Sequence, residues 1–231
     1  LAILLAYKLA KKYLLSGEVM LDIAIWAILG GLVVARIFHV IFYEPVYYIS
    51  QPIDILKFWQ GGASSLGGFI GASLAIYVFI KIRKFTLKEI LPYLDIAAVS
   101  LWLGWGIGRL GCFFIHDHLG KLSDFILAVN FPSGARFDMG LIESLLGFIL
   151  FIIHYSLFVK LVKIHWGLVA ILSFMNYAIV RFLLDFLRAT DLPNSDTRYF
   201  HLTPAQWGMG VLWITLTVIL IYGIRVRRKK L

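Results

Sequence analysis

The sequence predicts an all-α fold: a polytopic membrane helix bundle of about seven transmembrane helices, the first one truncated, in a single integral membrane domain over residues 1–231. Three observations predict it. Hydrophobic residues make up 61% of the chain and charged residues only 15%, where a soluble domain sits nearer half apolar. Apolar runs recur at about 20 residues each, the length a bilayer core demands. The net charge of +9 comes from Lys and Arg gathered after alternate runs, the pattern of cytoplasmic loops.

The elements follow in order. The chain opens on Leu rather than Met, so the N-terminus reads as trimmed, and Leu1–Tyr7 reads as the end of a first span. The other spans are Val19–Tyr43, Leu66–Ile82, Pro92–Ile115, Leu141–Leu161, Gly167–Leu187 and Met209–Ile224. Basic clusters follow span one (Lys8, Lys11, Lys12), span three (Lys81, Arg83, Lys84, Lys88), span five (Lys160, Lys163) and span seven (Arg225, Arg227, Arg228, Lys229, Lys230). They place one side of the bundle, with the C-terminus, in the cytoplasm. Glu44–Ser65, His116–Gly140 and Arg188–Gly208 become outward loops, with Tyr47, Tyr48, Trp59 and Trp207 as interfacial anchors. No soluble basic face is present, which argues against a nucleic-acid binder. The single cysteine, Cys112, excludes an internal disulfide and a cysteine-rich metal site.

Three arginines, Arg36, Arg109 and Arg181, fall inside spans, where a charge costs a few kcal/mol. Arg109 lies seventeen residues past Pro92 and Arg181 fourteen past Gly167, about 25 and 21 Å along their helices at 1.5 Å per residue. Both depths fall in the outer half of the membrane. Asp185 and Arg188 follow Arg181 by four and seven residues, on one helix face. Each arginine alone reads equally well as a snorkelling side chain or an internal ion pair. Two at matching depth with acids beside them favour a bound anion, and the planar guanidinium fork suits phosphate. In a membrane the abundant phosphate belongs to a phospholipid.

His116 and His118 flank Asp117 just past span four, in the stretch GRLGCFFIHDHLG (Gly108–Gly120). Histidine suits general-base work near neutrality, although a polar interfacial loop explains the same residues. His116 stands seven residues after Arg109 and shares its face if the helix continues. The His-x-His spacing lacks the further ligands a metal site needs, so no metal is expected. His39, His154, His165 and His201 are scattered and read as structural or interfacial. Gly67 and Gly71, and Gly104 and Gly108, form small-xxx-small pairs for close helix packing. Gly61 and Gly62 permit a tight turn before span three. No GxSxG, Walker A or HExxH motif is present.

The stretch Gly108–Gly120 resembles the pattern G-R-[IL]-G-N-F-x-N-G-E-x-Y-G of the prolipoprotein diacylglyceryl transferases. Further blocks stand in the family's order. WQGGASSLGGFIGA (Trp59–Ala72) is similar to W-x-G-G-M-S-F-H-G-G-L-I-G, and Asp95 stands where the family has an acid. RFDMGLIE (Arg136–Glu143) is similar to R-H-P-x-Q-L-Y-E. YAIVRFLLDFLRATD (Tyr177–Asp191) is similar to Y-x-x-x-R-F-x-x-E-F-x-R-x-P-D, and LTPAQW (Leu202–Trp207) to L-T-x-G-Q.

The resemblance implies seven spans in the bacterial cytoplasmic (inner) membrane and a site toward the outer leaflet. It implies transfer of the diacylglyceryl group of phosphatidylglycerol to the lipobox cysteine thiol of a prolipoprotein signal peptide. The product is a thioether, glycerol 1-phosphate leaves, and no cofactor takes part. The implied lipid- and phosphate-binding residues are Arg109, Arg181, Gly67, Gly68, Gly108 and Arg188. The resemblance puts the helix carboxylate on Asp185 and the signature glutamate on Asp117, one methylene shorter; with Leu66 unable to move a proton, His116 and His118 complete the candidate catalytic set. The chain departs from the pattern at Leu66 (family His), Cys112 and Ile115 (Asn), His116 (Gly), Leu119 (Tyr) and Phe137–Asp138 (His-Pro). The family's first-span tyrosine lies upstream of this chain or is missing from it. These departures keep open a non-catalytic lipid-binding relative and, as a third reading, an anionic-lipid transporter.

Overall fold

The computed structural model describes residues 1–162, 165–192, 195, 196 and 198–228. Lys163, Lys229 and Lys230 of the basic clusters lie outside the described residues. The chain forms eight α-helices and a small sheet among the described residues. They are α1 (Ala2–Lys12), α2 (Gly17–Phe42), α3 (Pro45–Ser50), α4 (Ser65–Ile82), α5 (Leu87–Ile115), β1 (Leu119–Leu122), β2 (Ala128–Phe131), β3 (Gly134–Asp138), α6 (Met139–Leu161), α7 (Leu168–Leu184) and α8 (Pro204–Arg228). Two compact units share these elements: Ala6–Tyr93, and Leu1–Leu5 with Leu94–Leu231.

Among the described residues five helical segments are long and apolar enough to cross a membrane: Gly17–Phe42, Leu87–Ile115, Met139–Leu161, Leu168–Leu187 and Pro204–Gly223. They match five of the seven expected spans. The expected third span is the shorter helix Leu66–Ile82, and the first is the eleven-residue α1. Large side chains on α2 (Ile25, Ile28, Leu29, Leu32) and α8 (Val211, Ile214, Val218) are exposed. Apolar faces that no protein covers are what hydrocarbon solvates.

In the unit Ala6–Tyr93, α2 packs along α4. Glycine makes the approach possible: a Cβ on Gly71 would collide with the carbonyl oxygen of Gly30. Arg36 of α2 is buried. Its guanidinium donates to the carbonyls of Ile55 (3.0 Å), Gly62 (3.0 Å), Asp54 (2.5 Å), Lys57 (3.3 Å) and Gly61, and stacks 5.1 Å from the Tyr48 ring. The planar five-donor fork thus folds the chain after α3 back onto α2. Its hydrogen bonds all go to backbone carbonyls.

α5 begins at Leu87, five residues before the expected start, because Thr86 and Glu89 cap it reciprocally (2.7 and 3.4 Å). In the unit that includes Leu94–Leu231, Ile96, Val99 and Trp102 of α5 pack in a core with Met139 and Phe158 of α6 and Val169 and Ala178 of α7. α7 lacks a side-chain cap of its own, since Gly167 precedes it at φ +90°. Asp95 of α5 supplies one, accepting from Gly167 N (2.6 Å) and Ala170 N (2.7 Å). A buried carboxylate is thereby neutralised by orphan helix N–H groups. His154 of α6 is structural as expected: Nδ1 meets the Leu150 carbonyl at 2.8 Å, Nε2 meets Asn176 at 3.1 Å, and the ring stacks on Trp102. Thr203 and Gln206 form a second capping box at the start of α8 (2.9 and 3.1 Å).

His116–Gly140, expected as a loop, folds instead around an antiparallel sheet in the order β1-β3-β2. The sheet is extended by a bridge between Gly120 and Arg188. Arg136 on β3 is buried and forks onto Asp191 (3.0 and 2.5 Å) while donating to the Gly120 carbonyl (3.2 Å). Its hydrogen bonds hold the Asp191 carboxyl below the usual carboxylate range.

Candidate active site

α5, α6 and α7 each carry a charged residue toward one centre. Arg109 of α5 donates from Nε (2.6 Å) to Oε2 of Glu143 on α6, and a terminal nitrogen stands 2.5 Å from the same oxygen. Arg181 of α7 reaches the other oxygen, Oε1, at 3.4 Å. Arg181 also lies 2.8 Å from Oδ1 of Asp185, and Arg188 approaches the same oxygen at 3.2 Å. Those two contacts have ion-pair distance without hydrogen-bond alignment. Thr203 donates to Asp185 Oδ2 at 2.5 Å. Glu143 and Asp185 are almost fully buried, and Arg109 and Arg181 keep 16% and 10% side-chain exposure. The arginines therefore hold their charge at a partly open edge, over acids sealed beneath them.

This chain of pairs has three guanidinium groups and two buried carboxylates. Asp196, on the outer side of Arg188 at 2.9 Å, is 44% exposed. The buried part carries one cation in excess. Removing charges from water is repaid only with good partners, so an excess cation at an open edge favours an incoming anion.

The structure brings together Arg109, Arg181, Asp185 and Arg188 of the expected residues. Glu143, which joins the two arginines, is the member that sequence reasoning missed. A carboxylate in an apolar helix is itself a functional signal, and Glu143 stands within the matching block RFDMGLIE. Gly108, on the same helix as Arg109, would have open space around an added Cβ. Gly67 and Gly68 belong to the unit Ala6–Tyr93, where Gly67 packs on Phe38 and Ala35 of α2.

The expected His-Asp-His cluster separates into two pairs. α5 stops at Ile115 rather than continuing, and His116 turns the chain at φ +51°. Its position past the end of the helix takes it off the Arg109 face. His116 Nδ1 meets Asp138 Oδ2 at 2.6 Å, whereas His118 Nδ1 pairs with its neighbour Asp117 at 2.5 Å. Cys112 lies beside Arg109, its Sγ 3.4 Å from a guanidinium nitrogen. Cys112, Asp117 and His118 each bring one donor atom within 4.8 Å of the others. The guanidinium beside the sulfur opposes a cation there.

A family model described as prolipoprotein diacylglyceryl transferase matches residues 1–223. The chain is 28% identical over 205 residues to the phosphatidylglycerol–prolipoprotein diacylglyceryl transferase of Ehrlichia canis (strain Jake), covering 86% of this chain and 77% of that relative. It is 32% identical over 202 residues to the protein of that name from Wolbachia pipientis subsp. Culex pipiens (strain wPip), covering 85% and 68%. A third, from Brucella ovis (strain ATCC 25840 / 63/290 / NCTC 10512), is 33% identical over 182 residues, covering 77% and 64%.

Proposed function

The chain belongs to the prolipoprotein diacylglyceryl transferase family, and on that premise we propose that it transfers the diacylglyceryl group of phosphatidylglycerol to the lipobox cysteine thiol of a prolipoprotein signal peptide. In this reading it works in the bacterial cytoplasmic (inner) membrane, with a cytoplasmic C-terminus and its site toward the outer leaflet. The observation that carries it is the Arg109–Glu143–Arg181 bridge, a buried acid holding two guanidinium groups at an open edge.

The reaction needs a thiolate and a stabilised leaving group. The thiol sulfur attacks the glyceryl carbon bearing the phosphate ester. A carbon–sulfur bond forms and the carbon–oxygen bond breaks. Glycerol 1-phosphate leaves with the bonding pair, and the thiol proton passes to a base. Charge grows on the phosphate as the bond breaks, so Arg109 and Arg181 act most strongly in the transition state. Arg188 and Gly108 border the lipid phosphate, and Asp185 holds Arg181 and Arg188. Asp117, His118 and His116 supply the proton-handling groups. A thiol titrates near 8.5, so a base and the arginine field both raise the thiolate fraction.

The test is an assay of the detergent-solubilised chain with labelled phosphatidylglycerol and a lipobox peptide. Label transferred to the peptide cysteine is the expected result. Lipid binding without transfer would support the non-catalytic relative instead, a reading favoured by Leu66 at the family histidine position. Cysteines introduced into 123–127 and 199–202 should react with an impermeant reagent from outside intact cells. Reaction only after the cytoplasm is opened would reverse the orientation.

A further inference from the structure

We infer that Asp138 is a positioning residue that makes His116 the proton acceptor for the incoming thiol, an assignment that rests on the transferase reading. Two cross-links join the end of α5 to the start of α6. One is Arg109–Glu143, and the other is His116–Asp138 at 2.6 Å. The first rung lies within the two helices, and the second joins the residue just past α5 to the residue just before α6.

The imidazole is fixed on several sides. Phe113 and Phe131 meet it edge to face, with centroids at 5.4 and 5.2 Å. Asp138, only 1% exposed, meets Nδ1 through Oδ2, while its Oδ1 accepts from Leu141 N (3.1 Å) and caps α6. An acceptor-only carboxylate on Nδ1 places the proton there and leaves Nε2 bare. His116 keeps 41% side-chain exposure, so the ring remains open to an incoming group. The charged group facing it is Asp138; the two phenylalanines carry none, and Asp117 and His118 pair with each other. Neither His116 nor Asp138 matches the family pattern at its position, and the structure joins these two departures. The arrangement is that of a buried acid selecting the tautomer of an accessible histidine. Nε2 takes the thiol proton as sulfur attacks, and the imidazolium releases it to solvent after the glycerol phosphate leaves.

Asp138→Asn tests the role without removing the cap, because Asn caps a helix as well as Asp does. Its amide donates to Nδ1 and reverses the tautomer. Asp138→Ser, which also caps, replaces it if the Asn protein does not fold. In the full chain, Asp138→Asn and His116→Gln should each lower kcat by roughly 10²–10⁴-fold with KM for phosphatidylglycerol unchanged. The double variant should be no worse than either single one. Added imidazole should restore part of the activity of His116→Ala. Parent rates in both variants, with Arg109→Lys slowed, would overturn the dyad and leave the transferase reading standing. A parent chain that transfers nothing would overturn both.

Discussion

Arg109 directs two nitrogens at one oxygen of Glu143, at 2.6 and 2.5 Å, and that glutamate side chain has no exposed surface. Its other oxygen faces Arg181. The acid holds two cations from different helices at one place and leaves a third guanidinium nitrogen of Arg109 beside Cys112. The phosphate-binding capacity proposed for the site depends on that anchoring.

Glu143→Gln keeps the shape but removes the charge. Breaking a buried ion pair by deleting one partner costs roughly 3–5 kcal/mol. A clear fall in melting temperature in detergent is expected, partly recovered by phosphatidylglycerol or inorganic phosphate, which would answer the two uncompensated arginines. A melting temperature equal to the parent's, with no response to phosphate, would show that Glu143 does not carry the centre.

Asp95 should matter for folding rather than chemistry. Asp95→Ala leaves two N–H groups at the start of α7 without their acceptor, a loss of about 0.5–2 kcal/mol on the scale of helix caps. Thermal unfolding should shift while the rate per folded molecule does not. A selective loss of rate would move Asp95 into the site.

Replacing Arg36 by Lys should loosen the segment after α3. Lysine keeps the charge but brings three donors in place of the fork that reaches five carbonyls. Limited proteolysis should cut Arg36→Lys between residues 45 and 62 faster than the parent. Equal cutting would mean the carbonyl contacts add nothing to the order of that segment.

The helices were legible because apolar runs and capping residues are local. Thr86–Glu89 and Thr203–Gln206 mark two helix starts, each five residues before the apolar run that signals the span, at Pro92 and Met209. The sheet was not legible, since its strands have four or five residues and each pairs through partners outside its own segment. Arg36 and Arg109 look alike in sequence, both cations in apolar runs. What separates them is contact with residues 18 to 34 positions away, carbonyls for one and Glu143 for the other. Helical spacing puts His116 on the Arg109 face if α5 continues, but the left-handed turn at its own φ delivers it to Asp138.

Acid should loosen the Asp191–Arg136 pair. The Asp191 pKa is lowered, chiefly by the hydrogen bond from Arg136. Its contribution is therefore complete above the unfolded value near 3.8 and is lost as pH falls through the lower folded value. Hydrogen exchange of β3 amides should rise in that acid window in the parent. In Asp191→Asn it should already be raised at neutral pH and change less on acidification. Identical pH dependence in the two proteins would contradict the assignment.

The most direct test of the arginine centre is the initial rate of diacylglyceryl transfer by Arg109→Lys, measured beside its retention of phosphatidylglycerol. Lysine preserves the positive charge but cannot fork onto phosphate and Glu143 together. The account predicts a folded protein that binds lipid and transfers at least tenfold more slowly, about 1.4 kcal/mol of lost transition-state stabilisation. Transfer at the parent rate would contradict it and remove Arg109 from the reaction.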